Sequence, residues 1–271
     1  MITKVGIPPA LRVLPACIRL LSLSLGSMLP LAAFAELSDE SLIGPGLRLR
    51  PAYYGSASQQ TEFVPVLRYL GKPWFARSTQ GVLEGGVRME LSPGLHAGAQ
   101  MAYEPGRRTS ESDFLKNHRI SDVEAGASLG AQLEWDHQLG RMPITLLARA
   151  RQHTDADRGA QVDLRLSAGI FHSGRVAAGV FAQTTWANTK SADSFYGLTA
   201  PQSAATGLPA FHAGSGWLYA SGGVLWAVAL SRDWSVVGST ELRHLQGGAA
   251  RSPLVERRSN YSSSVGLAYQ F

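Results

Sequence analysis

The stretch NYSSSVGLAYQF, residues 260–271, decides the fold class. Counted back from Phe271, alternate positions read Phe271, Tyr269, Leu267, Val265, Ser263 and Tyr261. The positions between read Gln270, Ala268, Gly266, Ser264, Ser262 and Asn260. Successive side chains on a strand point to opposite faces, so this is a strand with one apolar face and one small, polar face. In a soluble sandwich the apolar face would meet a core. In a membrane barrel it would meet lipid, and the small polar face would line the lumen.

The alternation recurs along the chain. Val123, Ala125, Ala127, Leu129, Ala131, Leu133 and Trp135 share one face, opposed by Glu124, Gly126, Ser128, Gly130, Gln132 and Glu134. Val162, Leu164, Leu166, Ala168 and Ile170 oppose Asp163, Arg165, Ser167 and Gly169, and Leu218, Ala220, Val224, Trp226, Val228 and Leu230 follow the same rule. Twelve strands are predicted, at 44–54, 62–70, 74–79, 82–91, 95–104, 122–136, 143–153, 160–172, 176–189, 216–230, 234–245 and 259–271. With boundaries good to a few residues, the pattern admits about 10 to 14 strands.

Connection lengths choose between sandwich and barrel. Every second connection is short: Gly71-Lys72-Pro73, Ser92-Pro93-Gly94, a link at 139–142, Ser173-Gly174 and Ser231-Arg232-Asp233. Those between include the long polar stretches 105–121, 190–215 and 246–258. Outer-membrane barrels pair short periplasmic turns with longer extracellular loops, whereas a sandwich has no need of one short end and one long end. The predicted fold is therefore all-β, a transmembrane antiparallel up-and-down barrel. Arg48, Arg50, Glu84, Arg88, Glu90, Glu124, Glu134, Arg149, Arg151, Asp163, Arg165, Glu241 and Arg243 fall on its polar faces and are expected in the lumen. On the lipid side an Arg near the midplane would cost about 2–4 kcal/mol. Trp135, Trp186, Trp217 and Trp234 lie near strand ends, as interfacial girdle residues do.

Residues 1–35 differ from the rest. Lys4, Arg12 and Arg19 precede an apolar stretch, Leu20 to Ala33, that ends in Ala33-Phe34-Ala35. This is the pattern of a secretory signal peptide cleaved before Glu36, leaving 36–271 as the barrel domain. LPAC, ending at Cys17, loosely resembles a lipobox, but an apolar run follows it where a lipoprotein has a polar linker. Cleavage removes the single cysteine and lowers the net charge from +5 to +2, because those three basic residues leave. The basic balance therefore gives no reason to expect a nucleic-acid partner. Lipid and lipopolysaccharide of the outer membrane are the expected surroundings.

No catalytic arrangement is evident. His172 and Ser173 are adjacent on a strand and point to opposite faces, which denies the pair a shared proton. Asp155 and Asp157 sit in a loop of the kind that weakly holds a cation, but solvated charge is the simpler reading. No His or carboxylate cluster has a metal spacing, and no cofactor is expected.

Two stretches resemble the MipA/OmpV family, the MltA-interacting proteins. SFYGLTAPQSAATGLPAFHAGSG, residues 194–216, is similar to that family's YFGV-x-x-x-QA-x-x-SGLPAY-x-x-GAG segment through Phe195, Tyr196, Gly197, Gln202, Gly207, Leu208, Pro209 and Phe211. LQGGAARSPLVERR, residues 245–258, resembles its LLGDAADSPIV segment through Gly247, Ser252 and Pro253, and PAYYGS at 51–56 resembles P-x-Y-x-GS. The similarity runs in order along the whole chain after the signal peptide. Gly248 and Arg251 stand where the family typically carries acids, and Thr206 replaces a Ser.

The resemblance implies an outer-membrane scaffold joining a lytic murein transglycosylase to a penicillin-binding protein. A small-solute channel and a lipid-active barrel enzyme are the alternatives. Tyr269 and Phe271 look like the terminal signal read by the barrel-assembly machinery. The family stretches fall on the long-loop side, away from murein. Either the 190–215 loop folds inward, with Phe195, Tyr196, Leu208 and Phe211 in the barrel mouth, or scaffolding uses the turns and residues 36–43.

Overall fold

The structure, a computed structural model, describes residues 41–271, and the predicted signal peptide lies outside the described residues. Twelve antiparallel strands form a closed barrel: β1 (Leu42–Pro51), β2 (Gln59–Leu70), β3 (Trp74–Thr79), β4 (Val82–Ser92), β5 (Leu95–Glu104), β6 (Gly126–Leu139), β7 (Met142–His153), β8 (Ala160–Ser173), β9 (Val176–Ala187), β10 (Gly216–Ala229), β11 (Trp234–Leu245) and β12 (Ser259–Gln270). Each strand pairs with its sequence neighbours, and β1 pairs with β12 to close the ring. Closure removes both free edges, so spanning backbone polar groups pair strand to strand without water. The ladder between β2 and the short β3 stops at Arg68, beyond which the Ser78 hydroxyl accepts from the Leu67 N–H and donates to the Pro65 carbonyl.

Side-chain chemistry follows the pleat. Leu47, Leu83, Met101, Leu129, Leu133, Leu164, Leu166, Val224, Leu242 and Val265 are exposed on the outer surface. Trp186 and Trp217 face each other across β9 and β10 near one end, and Trp74, Trp135 and Trp234 sit outside near the other. An apolar band between two aromatic rings matches a bilayer with its two interfaces.

The two ends differ. One carries the turns at 71–73, 93–94, 140–141, 174–175 and 230–233 together with both ends of the barrel chain. The other carries 52–58, 80–81, 105–125, 154–159, 188–215 and 246–258, and is here termed the loop end. It includes the short helices α1 (Asp113–Asn117), α2 (Thr189–Tyr196) and α3 (Ala200–Thr206).

Two local departures from the predicted strands have clear causes. Residues 122–125 belong to a loop, because Val123 exchanges 2.8 Å backbone hydrogen bonds with Arg107 and pulls the segment off the β6 edge. A bulge between Trp217 and Tyr219 turns Leu218 into the interior, where it is buried, although alternation places it with the lipid-facing residues.

Leu133, in the middle of β6, tests the assignment of the outer surface. Leu133→Arg should lower the unfolding free energy in lipid vesicles by about 2–4 kcal/mol, read from urea titration. Stability unchanged within error would show that this face does not meet hydrocarbon.

Candidate functional site

The lumen is crossed by a continuous run of ion pairs. Arg88 reaches Glu134 at 3.2 Å, Glu134 accepts from Arg77 at 2.6 Å, and Arg77 donates to Glu84 at 2.5 Å. Glu84 continues to Arg149 at 2.7 Å, Arg149 to Asp163 at 3.4 Å, Asp163 to Arg151 at 2.8 Å, and Arg151 to Glu104 at 2.9 Å. Four guanidinium groups thus meet four carboxylates, on strands β3 to β8. Gln132 adds an acceptor for Arg77 and Thr185 a donor for Asp163.

A second group braces the other half of the ring. Arg243 of β11 lies between two tyrosine rings, 3.6 Å from the Tyr54 centroid and 3.9 Å from that of Tyr219, and binds Glu241 at 2.9 Å. Arg48 of β1 donates to the Tyr54 hydroxyl at 3.0 Å, while Arg50 pairs with Glu62 of β2 at 2.7 Å. Arg165 of β8 stacks on Phe181 at 3.8 Å and donates to Gln183, whose amide reaches the Tyr219 hydroxyl at 3.3 Å. Ser262 of β12 donates to Glu241 at 3.5 Å.

Burial decides what this arrangement is. Glu84 is 2% exposed, Asp163 1% and Arg149 5%. A water-filled channel alongside them would leave these groups accessible. A charge so desolvated is tolerable only when it is paired and hydrogen-bonded, and the run provides both.

Above the lumen, the loops interlock through the family-like stretches. Asn188 caps α2 by accepting from the Ser191 N–H at 3.0 Å. Thr199 and Gln202 form a reciprocal capping box on α3, and Gly207, at φ 74°, ends that helix in the left-handed conformation that glycine adopts freely. Leu198 and Phe211 exchange 2.8 Å backbone hydrogen bonds that tie the two flanks of α3 together. Asp193 accepts from Ala213 N–H at 2.6 Å and from Gly214 N–H at 3.3 Å.

Neighbouring loops lock onto this hairpin. Ser252 donates to the Tyr196 carbonyl at 2.6 Å, Arg107 to the Phe195 carbonyl at 2.6 Å, and the Tyr53 hydroxyl to the Leu254 carbonyl at 2.8 Å. Gly248 sits so close to Ala213 that a Cβ there would fall 1.8 Å from its carbonyl oxygen. Any side chain at position 248 would collide with the 188–215 backbone. Tyr196, Leu218, Leu245 and Ala249 share one buried cluster, with Phe195 and Phe211 packed against it; Tyr53, Leu115, Ile120, Leu198 and Leu254 form another, joined by Leu208 and Phe211. Burial pushes the Tyr196 phenol well above its ordinary pKa.

Not every residue assigned to the lumen from sequence is found there. Glu124 is exposed in the loop before β6, for the reason given for Val123. Glu90 keeps to the luminal face but lies at its open turn end, where it is exposed and pairs with Lys72 at 3.4 Å. Pro209 is exposed, and Gln202 acts only on its own helix. Gly197 ends α2, donating to the Asp193 carbonyl at 2.8 Å, while Gly247, at φ 54°, begins the turn into the last loop. Pro253 follows Ser252 in that loop, and Tyr269 and Phe271 are exposed on the outer surface at the turn end. Conversely, Arg77, Glu62, Glu104, Tyr54 and Tyr219 are members of the network absent from the residues expected in the lumen from sequence, although Glu104 and Tyr219 have the parity of the polar faces of β5 and β10. Among the described residues, no group of three or more His, Cys, Asp or Glu side chains is placed to hold a metal ion.

A closed barrel, apolar outside and charged within, defines the class: an outer-membrane β-barrel of a Gram-negative bacterium. The chain belongs to the MltA-interacting protein MipA family, whose model matches residues 43–271. No curated protein matches the sequence. Among solved structures it is similar to the NanC porin, at 10% identity and TM-score 0.47, covering 85% of this chain and 100% of that one. It is also similar to LpxR from Salmonella typhimurium, at 7% identity and TM-score 0.46, covering 84% and 100% respectively. An outer membrane channel from Pseudomonas putida F1 is a third, at 10% identity and TM-score 0.45, covering 87% and 97%.

Removing one carboxylate tests the brace. Glu84→Leu leaves Arg77 and Arg149 each short of a partner and should destabilise the barrel by about 3–5 kcal/mol in urea unfolding. A loss below about 1 kcal/mol, the range of exposed pairs, would mean that water already screens this site.

Proposed function

We propose that the protein is a closed, non-catalytic outer-membrane barrel that anchors murein-processing enzymes, with its loop end outside the cell and its turn end in the periplasm. Residues 1–35 would direct export and be removed. The orientation rests on the connections, since barrels of this membrane keep short turns in the periplasm. The family is described as interacting with MltA, which the resemblance makes a murein-processing enzyme of the periplasmic side. A link onward to a penicillin-binding protein is the fuller form of the same role.

The observation that carries this reading is the filled lumen: a braced, covered barrel suits an anchor better than a conduit. The turn end adds a docking feature. A cavity of about 700 Å³ opens there, lined by Lys72, Glu90, His96, His137 and Gln138 around a floor of Arg68 and Arg88. Five short turns alone offer little of the roughly 1,600 Å² in a standard interface. A recess that admits a peptide segment of the partner supplies more.

A small-solute channel is the second reading. It is favoured by a cavity of about 160 Å³ beneath the mouth, where Arg48, Arg149, Arg151 and Arg243 meet apolar groups such as Phe195 and Leu218. Conduction would require the ion-pair run below that cavity to part.

Site-specific photo-crosslinking tests the anchor. A photoreactive residue at Gln138 should capture a lytic murein transglycosylase in living cells, and one at Pro209 should not. Capture from Pro209 alone would place the partner on the loop end and reject the proposed arrangement.

A further inference from the structure

A separate cavity of about 730 Å³ opens at the loop end, between the 105–125 segment, the 154–159 turn and the α2–α3 hairpin. Its inner wall carries three basic side chains that are nearly inaccessible: Arg107 at 4% exposure, His153 at 7% and Arg158 at 8%. The luminal run pairs each of its arginines with carboxylates. These two do not follow suit. Arg107 spends its Nη groups on the carbonyls of Phe195 and Ser121, at 2.6 and 3.4 Å. Arg158 donates Nη1 to the Glu124 carbonyl at 2.5 Å. Among the described residues no carboxylate stands within ion-pair distance of either, and the Nε of both is buried without a hydrogen-bond partner.

His153 adds a third donor. Its Nδ1 accepts from the Asp155 N–H at 3.0 Å, which puts the ring proton on Nε2, and Nε2 is buried with no partner. The ring edge rests over Gly126. A Cβ at residue 126 would fall 2.8 Å from His153 Nε2 and 3.7 Å from Arg158 Nη1, so the missing side chain is what lets the two donors approach each other. Burial lowers the pKa of Arg107 below the usual arginine value, as expected of a cation that lacks an anion.

The rim is mainly acidic: Asp122, Glu124, Asp155 and Asp157 are exposed around the opening, together with Arg119 and His212, and Asp157 already pairs with Lys190 at 3.4 Å. Asp193, also in the wall, is already committed to Ala213, Gly214 and His212. Donors at depth and acceptors at the rim sort a ligand by polarity along its length. A volume of this size accommodates a small molecule.

We infer that the cavity binds a small phosphorylated or carboxylated molecule whose other end carries amines or hydroxyls, an amino-sugar phosphate being the best fit. The anionic head sits among Arg107, His153 and Arg158, where charge-assisted hydrogen bonds to phosphate are strong. The amine or hydroxyl end turns to the rim carboxylates. Such a group could arrive as a free solute or as the phosphorylated saccharide headgroup of a lipid.

Calorimetric titration of the full-length protein in phosphatidylcholine nanodiscs tests this with three probes: glucosamine 6-phosphate, glucosamine and deacylated lipopolysaccharide. Glucosamine 6-phosphate should saturate one site, and glucosamine should bind at least about tenfold more weakly, the loss of roughly one charge-assisted hydrogen bond. His153→Ala and Arg158→Gln should each weaken the phosphate probe by a similar factor while retaining the heat-modifiable mobility of a folded barrel. Displacement of the sugar phosphate by deacylated lipopolysaccharide would identify a lipid headgroup as the source, and failure to compete would identify a free solute. In the wild type, glucosamine 6-phosphate should also raise the midpoint of thermal unfolding and glucosamine should not, a readout that does not depend on a variant folding. Absence of saturable binding by both phosphorylated probes, binding unaltered in both variants, or no such rise would overturn the assignment.

Discussion

Pairing of buried charge is the constraint on which the rest of this barrel depends. Twelve strands enclose more space than side chains of an eight-stranded barrel must fill, and less than a sixteen-stranded porin leaves open. Small inward residues such as Gly98, Gly130 and Ser128 widen that space further. Long arginine and glutamate side chains reach across it. Once water is excluded around Glu84 and Asp163, each must keep its partners, because an orphaned ion there would cost several kcal/mol. The pairs therefore fix strand register as well as fill the lumen. Arg77 of β3 reaches both Glu84 of β4 and Glu134 of β6, contacts that a one-residue slip would reverse to the lipid side.

The mouth depends on the same logic with different chemistry. Loop backbones that leave a strand end must find partners of their own, and the segments resembling the family sequence supply them. Ser252, Asp193 and Arg107 bond to backbone groups of other loops or of distant parts of their own. Tyr54 joins the two levels: its hydroxyl accepts from Arg48, and its ring covers Arg243. The stretches by which the family is recognised thus serve, in this chain, to hold loops together. Those residues face one another, and under the proposed arrangement the turn end is the one left to meet a periplasmic partner.

Much of the architecture was legible because period-two alternation is a direct consequence of having lipid on one side. The bounds of β3, β5 and β11 coincide with those read from sequence. The pattern misled where a loop imitates it. Val123 and Ala125 continue the alternation of β6 by identity, yet Val123 pairs with Arg107, a contact 16 residues away in sequence that periodicity cannot register. Leu218 was misplaced by a bulge, which alternation cannot represent. The helices at 189–196 and 200–206 sit in a Ser-, Ala- and Pro-rich segment, although Thr199-Ala-Pro-Gln202 carries the capping-box spacing that signals a helix start. Arg77 lies on a six-residue strand whose faces are hard to tell apart by composition. The Tyr54–Arg243–Tyr219 stack draws on the 52–58 loop, β10 and β11, and only the closed ring brings those three together.

Conductance of the full-length protein in a planar lipid bilayer tests the filled lumen most directly. With the ion-pair run intact and the mouth interlocked, insertion of folded barrels should add no resolved current steps above the bare membrane. Regular porin-like steps from the wild-type protein would contradict the account, because they require water alongside side chains that the structure buries.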